Sequence, residues 1–311
     1  MGTISNKPLV SIGLPTHNRA PSLRRSIESA LTQDYPNLEL VISDNASTDE
    51  TQAICKEFCR RDQRVRYTRQ RVNQGAIANF RQVLERAQGE FFMWLADDDW
   101  LEASYITKCV ESLSGQQDCE LVCGRAMYFQ GDEAIIEGEQ VNAPQDSGRD
   151  RVLAYYGQVT SNGAFYGVMR RERLAKFDIP DILGGDWLLL ASVAFTGKIK
   201  TLESVHLNRS IAGASQDVKE LARKFGLSKF FVNEPHLKIA ITALEDIAWR
   251  SPVYESLGRT ARLTLGCKSA VVICRRFSVP VWRNQLRARA EWWGKIRVRI
   301  AWRARIKRAL K

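Results

Sequence analysis

The chain has 311 residues, enough for one large or two modest domains with a full core, and its 44% apolar and 26% charged residues exclude a disulfide miniprotein and wholesale disorder. Its formal charge of +11 is concentrated at one end: from Lys268 to Lys311 there are fourteen Lys or Arg against the single acid Glu291, so the remainder is close to neutral. A near-neutral body excludes a body-wide nucleic-acid surface, and the basic tail points to a polyanion or an anionic membrane face.

The first hundred residues alternate between short apolar runs and helical patterns. Residues 9–14 are an apolar run ended by Pro15, and Pro21 sits where a helix reaching about Leu31 can start. Residues 38–42 form a second run. Ser47 or Thr48 can cap a helix with Asp49 and Glu50 in its first turn, running to about Arg60. Residues 65–68 predict a third strand. Ile77, Phe80 and Leu84 give 76–87 a helical spacing, Gly89 stops that helix, and 91–95 read as a strand buried on both faces. The alternation predicts an α/β architecture, a parallel sheet with crossover helices whose ligands bind beyond the carboxyl ends of the strands. Those ends carry Pro15-Thr16-His17-Asn18, Asp44-Asn45 and Asp97-Asp98-Asp99.

The middle is less regular. Residues 120–129 read as a strand, and the polar stretch 131–148 is too long for a simple connection and is expected to form a flexible lid. Residues 151–156 predict a short helix, 165–169 a strand, and 186–194 a helix opened by Gly184-Gly185; after His206 the pattern is helical to the end. No internal repeat and no low-complexity tract is present. The seven Cys include no Cys-x-x-Cys and have only three His as co-ligands, so Cys55 with Cys59 and Cys119 with Cys123 read as reduced thiols rather than zinc clips. There is no charged-then-apolar leader, no apolar stretch near the ~20 residues that span a bilayer, and Asn6 spoils a myristoylation signal after Gly2. A cytoplasmic location is expected.

Three consecutive carboxylates at the end of an apolar strand repel one another and call for a cation. If strand alternation persists there, Asp97 and Asp99 reach one site and Asp98 faces elsewhere. Oxygen ligands of this kind select Mg2+ or Mn2+, which commonly bridges to a substrate diphosphate; a solvated acidic turn ahead of a helix from Glu102 is the alternative. Asp44, within Asp-Asn-Ala-Ser-Thr-Asp, reads equally as a turn and cap residue or as a ligand contact.

Taken together, Val10-Ser-Ile-Gly-Leu-Pro-Thr-His-Asn-Arg19, Leu40-Val-Ile-Ser-Asp-Asn-Ala-Ser-Thr-Asp49, Asn73-Gln-Gly75 with Asn79, and Asp97-Asp98-Asp99 resemble, in order and spacing, the nucleotide-sugar half of family-2 glycosyltransferases of the GT-A fold. The resemblance covers about residues 8–215. It implies a Rossmann-like, mostly parallel sheet with flanking helices over 1–215, divided into a nucleotide-sugar half (8–115) and an acceptor half (116–215), followed by a helical, basic region (216–311). Pro15, Thr16 and Asn18 would line the nucleotide pocket with Arg19 near the phosphates. Asp44 would accept hydrogen bonds from the base or ribose, and Asn73, Gly75, Asn79 and Asp98 would belong to the donor surface. Asp97 and Asp99 would hold Mn2+ or Mg2+ on the diphosphate in a DXD pattern. Leu183-Gly-Gly-Asp186-Trp-Leu-Leu189 resembles the family's acidic motif at the start of an acceptor-side helix, which makes Asp186 the general base, with a helix N-cap as its other reading. The implied reaction is an inverting transfer from a nucleotide sugar, a UDP-sugar first, to a saccharide or lipid-linked saccharide in bacterial surface-polysaccharide assembly.

One departure matters. Many members place a His within an Arg-x-His-like run after the last core strand, where this chain reads Asn208-Arg209-Ser210-Ile211-Ala-Gly213, and Ile211 cannot ligate a metal. Either Asp97 and Asp99 hold the ion with water, or His206 substitutes, or metal dependence is weak. At the C-terminal end, Leu286, Ala290, Trp293, Ile300 and Ala304 share one helical arc with Ile296 on its flank, and Trp282, Trp292 and Trp302 add aromatic surface. Such a basic amphipathic helix suits an anionic bilayer surface, which would make the protein peripheral on the inner face of the cell membrane; docking onto the body and nucleic-acid binding are the alternatives. A chain ended before Lys268 is expected to keep activity on a water-soluble acceptor. Two competing functions are a nucleotidyltransferase of similar fold, attacking phosphorus, and a nucleic-acid-binding protein that has only the tail in its favour and is not expected.

Overall fold

The computed structural model describes residues 7–211 and 217–281. The amphipathic segment 286–304 and the tryptophans from Trp282 onward lie outside the described residues.

The first hundred residues build the expected alternation: β1 (Val10–Thr16), α1 (Ala20–Leu31), β2 (Leu38–Asp44), α2 (Thr51–Arg61), β3 (Val65–Arg69), α3 (Ala76–Arg86) and β4 (Phe91–Trp94). Every residue of β1, β2 and β4 is buried, as strands covered on both faces must be. Their side chains alternate between two cores: Phe91, Met93 and Leu95 join Ile12, Leu14 and Ile42 on the side covered by α1 and α2, while Phe92 and Trp94 join Val83 of α3 on the other. β1 runs parallel to β2 and β4, and β2 parallel to β3.

The second half continues with β5 (Trp100–Leu101), α4 (Tyr105–Ser114), β6 (Cys119–Gln130), β7 (Glu133–Glu137), α5 (Gly148–Gln158), a 3-10 turn at Gly163–Tyr166, β8 (Val168–Arg170), α6 (Arg171–Leu174), α7 (Gly185–Thr196) and β9 (Lys198–Ser210). The nine strands form one sheet in the order β3-β2-β1-β4-β8-β6-β9-β5, with β7 hung on β6. Here the sheet is mixed: β8 is antiparallel to both β4 and β6, β9 parallel to β6, and β5 antiparallel to β9. After the undescribed residues 212–216 come α8 (Val218–Lys224), α9 (Lys229–Asn233), α10 (Pro235–Glu245), a π-helical turn at Asp246–Arg250, a 3-10 turn at Pro252–Tyr254, α11 (Arg259–Ile273) and a second π-helical turn at Cys274–Ser278. Ile239, Ile247, Leu265 and Ile273 from these helices share the core of α5 and α7. Among the described residues no helix is long and apolar enough to cross a membrane.

Three local expectations change. α2 begins at Thr51, not after Ser47 or Thr48, because Asp49 satisfies two helix starts at once: its Oδ1 accepts from Thr51 N at 3.0 Å and its Oδ2 from Ala20 N at 3.1 Å. The stretch 131–148 contains a hairpin strand, β7, and then an extended segment in which Ala143 exchanges backbone hydrogen bonds with Ile199. Phe165 lies in a 3-10 turn that precedes β8 rather than inside a strand.

Candidate functional site

The ends of β1 and β2 meet in register at Thr16 and Asp44, and β4 flanks β1 on its other side, so the chain reverses its winding at β1 and opens a crevice there. Pro15 and Thr16 are the last buried positions of β1. Asn79, on α3, donates from Nδ2 to Thr16 O at 3.2 Å and Ser43 O at 3.0 Å, and so braces the two strand ends. Asn18 adopts the left-handed region at φ 52°. From there its N–H donates to Ser47 Oγ at 2.9 Å and its Oδ1 accepts from Thr48 N at 2.8 Å, which locks the β1 loop onto the β2 loop. Asn73 Oδ1 accepts from Asn45 Nδ2 and from Gly75 N, while its amide nitrogen lies 3.2 Å from His17 Nε2. The structure therefore gathers Pro15, Thr16, Asn18, Asn73, Gly75 and Asn79 at one crevice, and it adds His17, Asn45 and Ser47.

Asp44 stands at the expected strand end but is fully buried. Its Oδ1 accepts from Ser47 N and its Oδ2 from the Tyr67 hydroxyl, both at 2.8 Å, with Arg69 Nε at 3.5 Å. Of its two sequence readings the structure displays the turn-forming one.

Asp97 and Asp98 form a turn beyond β4, so strand alternation does not extend to them. Asp97 faces Arg19 Nε at 3.7 Å and accepts weakly from His17 N at 3.4 Å, while Asp98 faces the other side of the same guanidinium at 3.9 Å. Burial pushes the Asp97 carboxyl up to about 7, the Thr16 hydroxyl opposes this, and Asp98 adds to it. Asp99 is turned away and deeply buried: its Oδ2 accepts from Arg209 Nε at 3.1 Å and its Oδ1 from Ser210 N at 3.1 Å. The cause is the pairing of β5 with β9, which sets Trp100 opposite Asn208 and hence Asp99 beside Arg209. Among the described residues no three His, Cys, Asp or Glu side chains are grouped to hold a metal. The donor set of Asp97 and Asp98 nonetheless suits a hard divalent cation. It offers two adjacent carboxylates, one destabilised as an anion by burial that the Thr16 hydroxyl, the Arg19 guanidinium and the His17 N–H offset only in part. His206 is not part of this set, because its N–H and Nδ1 are held by the Glu102 carboxylate at 2.9 and 3.0 Å.

A cavity of about 640 Å3 adjoins the crevice, reaching from Ala76 at the start of α3 past Arg209 to Asp186. Its walls are largely apolar, with Ile77, Phe80, Ile182, Leu221, Phe225 and Ile239 among them. Asp186 is placed by the two glycines before it. Gly184 has φ 81°, and a Cβ on Gly185 would lie 2.0 Å from Pro180 O, so this turn into α7 requires both. The helix that follows is buried on nearly every side, leaving Asp186 in its first turn at the cavity wall. Burial raises the Asp186 carboxyl above the usual range, and a hydrogen bond of 2.8 Å from Asn162 Nδ2 to Oδ2 partly offsets that. Asn162 and Arg209 were not legible as site residues: their partners lie 24 and 110 positions away.

Residues 11–177 match the family described as glycosyl transferase family 2. The Bacillus subtilis (strain 168) protein TuaG, named as a teichuronic acid biosynthesis glycosyltransferase, is 27% identical over 194 residues, which is 61% of this chain and 75% of TuaG. The GalNAc(5)-diNAcBac-PP-undecaprenol beta-1,3-glucosyltransferase of Campylobacter jejuni is 37% identical over 95 residues, 30% of this chain and 31% of that enzyme. Among solved structures, S. aureus TarS 1-349 in complex with UDP-GlcNAc superposes with a TM-score of 0.57 at 18% identity, covering 82% of this chain and 75% of that one. The mannosyltransferase PcManGT of Pyrobaculum calidifontis in complex with GDP-Man and Mn2+ gives 0.54 at 17% identity, covering 92% and 81%. These last two likenesses are of fold.

Proposed function

The chain belongs to glycosyl transferase family 2 and is a glycosyltransferase, and from that premise we propose that it moves a sugar, with inversion, from a UDP-sugar to a hydroxyl of a lipid-linked saccharide. The observation that carries the reading is the cavity that begins beside the crevice at Ala76 and ends at Asp186, because a carboxylate on the wall of such a cavity supports an acceptor-side base. The acceptor oxygen attacks the anomeric carbon, its proton passes to Asp186, and the bond to the diphosphate breaks, releasing the nucleotide. Pro15, Thr16, Asn18, Asn73, Gly75 and Asn79 shape the nucleotide side, and Arg19 stands beside Asp97 and Asp98 near the phosphates. Asp44 contributes by ordering the loop through Ser47.

Asp97 and Asp98 would hold Mg2+ or Mn2+, and Asp99 would join them on releasing Arg209; the ion supplies charge neutralisation on the leaving diphosphate. The apolar walls suit an acceptor that carries a lipid, as the name of the Campylobacter relative describes for that enzyme. A basic C-terminal segment suits a peripheral place on the inner, anionic membrane face. Family membership favours glycosyl transfer over nucleotidyl transfer. A panel of nucleotide sugars, screened with Mn2+ for binding and slow hydrolysis, tests the proposal; a UDP-sugar is the expected hit, and a panel without any binder would overturn it. With that donor, Asp186→Asn should bind normally and transfer about 100-fold or more slowly. Near-wild-type transfer would move the base to another carboxylate, Asp181 on the same cavity being the next to test.

A further inference from the structure

Behind Asp186 lies a residue with an uncommon backbone. Asn162 has φ 53° and ψ 42°, in the left-handed region that residues with a Cβ avoid and that Asn tolerates best. It is 2% exposed, and both ends of its side-chain amide are engaged. Nδ2 donates to Asp186 Oδ2 at 2.8 Å, and Oδ1 accepts from the hydroxyl of Tyr155, which is itself fully buried on α5. The amide cannot be turned over while Asp186 is ionised, because Oδ1 would then face the carboxylate, acceptor against acceptor. The Tyr155 hydroxyl, donating to Oδ1, holds the same orientation from behind.

We infer that Asn162 is a positioning residue that acts through Asp186, its amide holding the carboxylate ionised and aimed for the acceptor proton. The inference rests on Asp186 being the base. The backbone N–H groups of Trp187 and of Asp186 itself also favour the Asp186 anion. The titratable and charged groups around Asp186 are Arg209 of β9, Tyr155 and Tyr156 of α5, Tyr166 of the 3-10 turn, and His236 of α10 with Asp181 on the cavity wall. Of these, Arg209 is committed to Asp99, so the neutral donor on Asn162 is the side-chain contact that favours the anion at close range. Burial works against it. Removing the amide takes away the largest opposition to burial, and the carboxyl should take up a proton at a higher pH.

Asn162→Gly is the informative variant, since glycine accepts the left-handed backbone and only the amide is lost. The carboxyl titration is followed by NMR on the full-length protein carrying isotope-labelled aspartate, with Asp186→Asn identifying the resonance and a thermal melt confirming the fold. The expected result is an Asp186 titration about one pH unit higher than in the wild type. With the donor from the panel, transfer at neutral pH falls about tenfold, donor KM is unchanged, and the acid limb of the pH profile moves up so that activity returns at high pH. Tyr155→Phe, which unpins the amide without deleting it, shifts both in the same direction by less. An unchanged titration in Asn162→Gly beside an inactive Asp186→Asn overturns the inference alone. Normal transfer by Asp186→Asn removes the base reading, and the inference with it.

Discussion

Asp97 sits under opposed demands. Its carboxylate is largely withdrawn from water and next to Asp98, and the Arg19 guanidinium is too distant to form a tight pair. A site of that kind is unfavourable for the empty protein and useful to a ligand that brings positive charge. Asp97→Asn should therefore leave the melting temperature of the metal-free protein unchanged or raised, while donor affinity in Mn2+ falls by about tenfold or more, a loss at least as large as removal of an outer partner of a metal ligand causes. Calorimetry of donor binding with and without Mn2+ checks both halves; equal affinity in the two proteins would count against the metal bridge. Arg209 shows the opposite arrangement. It is buried, ion-paired to Asp99, hydrogen-bonded to the Tyr128 hydroxyl, and set over the rings of Tyr166 and Tyr128 at 4.7 and 5.5 Å, so its charge is fully compensated inside the protein.

At the scale of elements, the carboxylates are positioned by where strands and helices begin and end. β5 is two residues long, yet its pairing with β9 alone brings Asp99 to Arg209. α7 is apolar on all sides, and its glycine start puts one acid at the cavity. α10 packs beneath α7 through His236, which stacks on Phe277 at 4.1 Å and 6° and lies 6.2 Å from the Trp187 ring. Burial, with Arg276 adding to it, lowers the His236 imidazole to about 4 against an ordinary 6.5. The unfolded chain thus binds this proton more readily than the folded one. Stability from this residue is complete above pH 6.5 and is lost as pH falls toward 4, by on the order of 3 kcal/mol. His236→Phe keeps a ring and removes the proton site. Denaturant melts of the two proteins should differ in pH dependence over that window, the wild type losing ground as pH falls; parallel curves would show that the imidazole binds its proton equally well in both states.

For the whole molecule, the helices after residue 217 are part of the body and not an appendage. Ile273 is fully buried in the core shared with α5 and α7, and Arg276 donates to Tyr156 O and Val159 O at 2.8 and 2.6 Å. Truncation before Lys268 would cut α11 in half and remove that packing. Loss of one such buried aliphatic side chain costs about 2–5 kcal/mol, so this variant should be insoluble rather than informative. A protein ended after Val281 keeps every described residue. It should melt like the intact protein and bind the donor equally, but no longer sediment with vesicles rich in anionic lipid, and the intact protein's sedimentation should weaken with salt. If the shortened protein aggregates while the intact one ignores vesicles, the basic segment covers the body instead.

Much of the first hundred residues was legible because their signals are local. Continuous apolar runs separated by helical spacing specify parallel strands buried on both faces, and each strand end displays its polar residues within two or three positions of the last apolar one, as Thr16, Asp44 and Asp97 do. The Gly184-Gly185 start of α7, and with it Asp186 in the first turn, was readable for the same reason. Contacts between elements were not. Whether Asp44 faces a ligand or Ser47 and Tyr67, whether Asp99 joins Asp97 or Arg209, and whether His206 approaches the carboxylates or Glu102 depend on strand pairings that no spacing along the chain encodes. Nor did the segment 131–148 announce β7, since Glu133-Ala-Ile-Ile-Glu137 lacks a two-residue period and pairs only because β6 supplies an edge. Apolar periodicity reports which face of an element is buried, and so determined the architecture; the partner of a buried charge is decided only when distant segments are brought together, because a carboxylate withdrawn from water must take whichever donor the fold puts within reach.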